Sequence, residues 1–215
     1  DRISNANDIT LSLVSSYREL DAEEEDLDLF NFRIAQSYYA DDEVVSNDTN
    51  TDFEKRRSYS DVVAGIDLAV NQFAFNSALQ FDPEINKVTN RTNTISYKLN
   101  PKKFVSLTHS KTDKDTSTVK LYGSYPVSDS IHLFGALDKN TSTGETNKET
   151  TGVAYESCCW AIRLAHFKEN RGTIDDIPIY DYSTGFELVL KGVGSSSTNL
   201  EKHLKDNIPY YQANL

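Results

Sequence analysis

The two cysteines of this 215-residue chain are neighbours, Cys158 and Cys159. Thiols can pair with one another, ligate a metal or act as nucleophiles, and their surroundings decide which of these is open. Consecutive Cα atoms lie about 3.8 Å apart, under the roughly 4.4–6.8 Å window of an ordinary disulfide, so this pair is badly built to bond to itself. If oxidised, each needs a partner outside this chain. A zinc site or a catalytic triad would require histidines at set spacings, whereas His109, His132, His166 and His203 are scattered. Asp113-Lys114-Asp115 opens like a calcium loop but lacks the Gly and the closing Glu. Gly192-Val193-Gly194 ends an apolar alternation without opening a phosphate-binding helix, so it reads as a turn. These residues predict no enzyme, no metal and no cofactor.

The net charge of −11 argues against a nucleic-acid or anionic-surface binder, which would need a dense basic patch. Acidic residues cluster at Asp21 to Asp28 and Asp41 to Asp52, which read as solvated turns. Divalent-cation bridges to lipid phosphates are the alternative for the second run. With 38% hydrophobic residues, a mean hydropathy of −0.55 and no apolar run near the ~18 residues of a membrane helix, average hydropathy points to a water-soluble chain. A transmembrane β-barrel escapes that test, because its strands turn alternate residues toward water.

Apolar residues alternate with polar ones nearly from end to end, and turn chemistry interrupts the pattern every 10 to 20 residues or so. The apolar sets include Ile9, Leu11 and Leu13; Phe30, Phe32 and Ile34; Val62 through Val70; Phe73 through Phe81; Ile95, Tyr97 and Leu99; Val105 and Leu107; Val119, Leu121 and Tyr125; Ile131, Leu133 and Leu137; Val153 and Tyr155; Trp160, Ile162 and Leu164; and Phe186, Leu188 and Leu190. That is about eleven strands with one apolar and one polar face. A soluble sandwich would turn the apolar face inward, whereas a membrane barrel would turn it to lipid. Tight turns at Asn71-Gln72, 100–103, 128–130 and 157–159 alternate with longer polar segments at 40–59, 83–90, 111–117, 139–149 and 168–181. Such alternation marks the two ends of an outer-membrane barrel. Only the tail carries helical periodicity.

Several words of the sequence resemble one family. Tyr155-Glu-Ser-Cys-Cys-Trp-Ala-Ile-Arg163, Thr184-Gly-Phe-Glu-Leu-Val-Leu-Lys-Gly192 and Ile208-Pro-Tyr210 are similar to the C-terminus of the LptD family, outer-membrane proteins that assemble lipopolysaccharide in Gram-negative bacteria. Asp1-Arg-Ile3, Gln36-Ser-Tyr-Tyr39 and Leu79-Gln-Phe-Asp82 follow the family's order. The resemblance implies an all-β, antiparallel transmembrane barrel of which residues 1–194 are the later strands and residues 195–215 a periplasmic tail. The chain would be part of a longer protein with earlier strands and an N-terminal periplasmic domain, and the fragment alone should aggregate because an open sheet edge is not tolerated in lipid.

The same resemblance assigns roles. Cys158 and Cys159 would bond to two cysteines near the N-terminal domain. Tyr182 to Val193 would be the last strand and one side of a lateral seam through which lipopolysaccharide passes, with Tyr182, Thr184, Phe186, Leu188, Val189 and Leu190 on it. Thr184, Gly185, Leu188 and Leu190 resemble the terminal signal read by the barrel-assembly machinery. Arg163, Glu187 and Lys191 would face the lumen as candidate contacts for sugar phosphates or an LptE-like plug lipoprotein, and Arg in place of Glu187 should fold almost normally. The N-terminal domain would join the periplasmic Lpt bridge, and the C-terminus would be periplasmic. A passive channel or adhesin-type barrel, and more remotely a soluble sugar-binding sandwich, are the competing readings.

Overall fold

The computed structural model describes residues 8–18, 28–45, 55–100, 102–114, 116–175, 177–190 and 194–195, together with Leu200, Lys202, Leu204 and Ile208. The acidic segment 21–27 and the stretch 46–54 lie outside the described residues. The protein is all-β and antiparallel, apart from helical positions at Leu200, Lys202 and Leu204. Its strands are β1 (Asp8–Arg18), β2 (Asp28–Val45), β3 (Lys55–Tyr59), β4 (Val62–Val70), β5 (Phe73–Asp82), β6 (Lys87–Asn100), β7 (Lys103–Thr112), β8 (Ser117–Pro126), β9 (Ile131–Asn140), β10 (Thr146–Glu156), β11 (Trp160–Ile174), β12 (Ile177–Leu190) and β13 (Gly194–Ser195). The eleven strands expected from alternation are β1, β2 and β4 to β12. The additions are β3, which pairs with β2, and the two-residue β13.

The chain divides into two compact units. The first holds β1 to β4, most of β5 and the first half of β6. Its strand order is β1-β2-β4-β5-β6, with β3 against β2. Polar residues on one face there bond across strands: Asn76 Nδ2 donates to Asp67 Oδ1 at 2.8 Å, and Gln80 Nε2 and Thr89 Oγ1 both donate to Asp61 Oδ2. The second unit holds the rest, in the order β6-β7-β8-β9-β10-β11-β12-β13.

Tight turns fall where Asn, Gly and Ser clusters place them. Asn71, at φ 52°, opens the two-residue turn between β4 and β5, as type I′ geometry favours. The other ends differ from expectation. The polar segments 83–90 and 168–181 are not long loops: β5 and β6 run on to leave only residues 83–86 between them, and β11 and β12 leave only Asp175 and residue 176. Polar side chains support these extensions as cross-strand partners. Arg171 reaches Asp181 Oδ2 at 2.6 Å, and Lys148 Nζ lies 2.8 Å from Glu169 Oε1.

The two faces of the second unit differ sharply in chemistry. Along one register row Leu133, Val153, Leu164 and Phe186 stand side by side, and all are exposed. The residues one position on, His132, Ala154, Arg163 and Glu187, are buried. The inner face also buries Phe104, Phe134, Ala154 and Ala165, so what sets this sheet apart from one folded for water is its apolar outer face together with the buried charges. Exposed contiguous apolar surface over buried charge is the arrangement of a sheet whose outer solvent is hydrocarbon.

Candidate functional site

The hairpin β11–β12 carries most of the residues singled out from sequence. Its register sets Arg163 opposite Glu187, and their side chains meet with Arg163 Nη1 donating to Glu187 Oε2 at 2.8 Å. Both side chains are fully buried. Their position on the face opposite Leu164 and Phe186 agrees with the assignment from alternation, but their environment differs. They are directed at each other and present no surface to a ligand. Glu187 is therefore not the tolerant position expected, since Arg there would oppose two guanidinium groups in a dry site. Lys191 lies outside the described residues.

A second charge group sits at the same end of the unit, on the same buried face. Lys102 Nζ lies 2.6 Å from Glu156 Oε2, and His132 Nε2 lies 3.9 Å from Glu156 Oε1. The side chains of His132 and Glu156 are each only 4% exposed. Sequence reading missed this group because its members are 24 and 54 residues from Glu156, on three different turns or strands. The register between β9 and β10 brings His132 near Glu156, and the turn between β6 and β7 supplies Lys102.

The tail contributes more than expected. Leu200, Leu204 and Ile208 are buried in one cluster with Phe104, Phe134, Ala154 and Ala165, so part of the 195–215 segment packs on the buried face of the strands. Their four-residue spacing was the readable signal of an apolar helical stripe. Gly185 has a structural partner here. A Cβ added to it would meet Leu200 Cδ1 at 2.8 Å, so the missing side chain makes the seat for Leu200. The chain then adds β13 to the edge of β12, pairing Ser195 with Val189 and Gly194 with Leu190. Within β12, Tyr182 and Phe186 are each 58% exposed, Thr184 and Leu190 are also exposed, Leu188 is half-buried and Val189 is buried.

Cys158 and Cys159 occupy the turn between β10 and β11, both exposed. Their Sγ atoms are 2.9 Å apart, beyond the ~2.05 Å of a disulfide bond. The turn is held by Ser157 N donating to Trp160 O at 2.8 Å, and the Tyr155 and Trp160 rings pack beside it at 5.0 Å. Two exposed thiols thus stand on a rigid hairpin end. Among the described residues no group of three or more His, Cys, Asp or Glu side chains could hold a metal ion.

These features define a class: an all-β chain with an apolar exposed face, a buried face that mixes ion pairs with an apolar cluster, and a thiol pair at a strand turn. The family model LptD, described as LPS transport system D, matches residues 1–142, and the chain belongs to that family. It is 26% identical, over 239 aligned residues, to the LPS-assembly proteins LptD of Escherichia coli strain K12, Escherichia coli O1:K1 and Shigella sonnei strain Ss046. Each match covers all of this chain and 30% of the relative. The chain therefore spans just under a third of the length of these relatives.

Proposed function

We propose that this chain is the C-terminal barrel portion of a protein that delivers lipopolysaccharide to the outer leaflet of a Gram-negative outer membrane, without chemical conversion. The observation that carries the reading is the outer face of the second unit's sheet, a contiguous exposed apolar surface, over an inner face that buries Arg163, Glu187, His132 and Glu156 beside an apolar cluster. In this reading Tyr182 to Leu190 of β12 forms one wall of a lateral gate, Gly192 and Val193 of the expected strand lying outside the described residues, and the short-turn end with the cysteines faces the periplasm. The cysteines bond to a preceding periplasmic domain that joins the Lpt bridge. An LptE-like lipoprotein fills the completed barrel, and the barrel-assembly machinery reads the Thr184 to Leu190 signal. A passive channel is less well supported, because the inner face of the second unit carries an apolar cluster of Phe104, Phe134, Leu200, Leu204 and Ile208 rather than a continuous polar lining.

The gate is tested by fastening it. In the full-length protein, cysteine pairs joining Thr184 or Val189 to the opposing strand should stop lipopolysaccharide delivery while folding and lipoprotein binding persist, and reductant should restore it. A solute channel would be indifferent to the staple, and stapled protein that still delivers lipopolysaccharide refutes the gate. The membrane-facing assignment has its own check. Arg at Leu164 or Phe186 should cost about 2–4 kcal/mol near the bilayer midplane, whereas on a water-exposed surface the same change would stay within about ±0.5 kcal/mol. Folding titrations into lipid vesicles read this difference directly.

A further inference from the structure

On the exposed face of the second unit, one register row carries two glycines side by side. Gly123 of β8 is paired with Gly135 of β9, flanked by Val105 and Thr151. The next rows hold Leu121 opposite Leu137 and Tyr125 opposite Leu133. Rows on one face of a strand are about 6.6 Å apart, so removing both side chains from the middle row opens a trough between two apolar walls. The structure contains that trough as a groove of about 610 Å³. This lies within the ~300–1,000 Å³ range of small-molecule sites. Behind it the sheet is closed by Phe104 and Phe134, which are 3% and 5% exposed, so the groove opens only outward.

The ends of the groove differ in charge. Lys103 borders it at the short-turn end, its Nζ 5.6 Å from the centre of the Tyr125 ring, while Glu149 borders the other end. An acyl chain matches the apolar walls and glycine floor, and a negative headgroup is favoured beside Lys103 and repelled by Glu149. We propose that this groove binds one acyl chain of an anionic glycerophospholipid of the surrounding bilayer, with the headgroup phosphate on Lys103. The proposal rests on the membrane-facing reading of this face and adds to it a preferred lipid and a fixed orientation.

The test uses full-length protein in bilayer nanodiscs containing trace phospholipid with a diazirine at mid-chain, carrying either a phosphatidylglycerol or a phosphatidylethanolamine headgroup. After photolysis, labelled peptides are mapped and compared with those around Val153, Leu164 and Phe186, an equally exposed apolar surface that any annular lipid touches. The phosphatidylglycerol probe should label residues 121–137 about tenfold more than that control surface, the ratio given by about 1.4 kcal/mol of preference. Lys103→Glu should remove the headgroup preference. Leu121→Trp, at a wall residue 44% exposed and outside the packed interior, should bring labelling down to the control level. Equal labelling of both surfaces by both headgroups means a bare lipid annulus and overturns the groove. Labelling of neither surface overturns the membrane-facing reading itself.

Discussion

Glu187→Ala should destabilise the folded barrel by about 3–5 kcal/mol, because it leaves the Arg163 guanidinium buried without its counter-charge. The pair makes a 2.8 Å bond with both side chains fully buried. Removing one partner therefore forfeits the Coulombic term while the desolvation cost of the other stays. Arg163→Ala should behave alike, and Glu187→Arg should be worse than either. The exchange Arg163→Glu with Glu187→Arg should recover part of the loss, since it restores opposite charges at the same register position. Urea titration of the full-length protein in lipid, read as the fraction migrating as a folded barrel in unheated gels, gives all four values. Wild-type-like stability of Glu187→Arg would mean that the pair is solvated and that this strand faces the other way.

Replacing both cysteines should abolish lipopolysaccharide delivery, whereas Cys158→Ser or Cys159→Ser alone should be tolerated. Under the proposed linkage, one long-range bond already closes the large loop. Closure entropy grows only slowly with loop length, so the second bond adds less than the first. Losing one native disulfide typically costs about 2–5 kcal/mol in a small domain, and under the proposed linkage losing both would also release the domain that supplies lipid. Entry of large antibiotics through the outer membrane reports the defect, and peptide mapping of the oxidised protein reports the bonds. A Cys158–Cys159 bridge found by that mapping would remove the linkage.

Much of the architecture could be read from alternation, because period-two patterning is the direct imprint of a two-faced strand. The eleven apolar sets became eleven strands, and Arg163 and Glu187 fell on the face opposite Leu164 and Phe186. What alternation could not say was which face is buried, since the pattern is the same for a sandwich and a barrel. Nor could it reveal cross-strand neighbours. The Arg163–Glu187 pair depends on the register of β11 with β12 and the His132–Glu156 approach on that of β9 with β10, while Lys102 comes from the turn between β6 and β7, so no local word shows either group. The polar extensions of β11 and β12 were read as loop because their residues suit solvent, and pairing between them only emerges once the hairpin exists. Gly185 was read as part of a strand signal, and its second role needed Leu200 to be brought back from the tail.

The small strand β13 has a mechanical consequence for the edge of β12. By pairing with Val189 and Leu190 it satisfies the main-chain donors and acceptors that another strand would use at that end. A strand joining this edge from the Ile177 end therefore meets a stop before Val189. Unzipping ordinarily has to begin by fraying a paired terminus. Here β13 already holds one terminus of the edge, so the pairing of any added strand ends before Val189 and its seam is open at that end from the start.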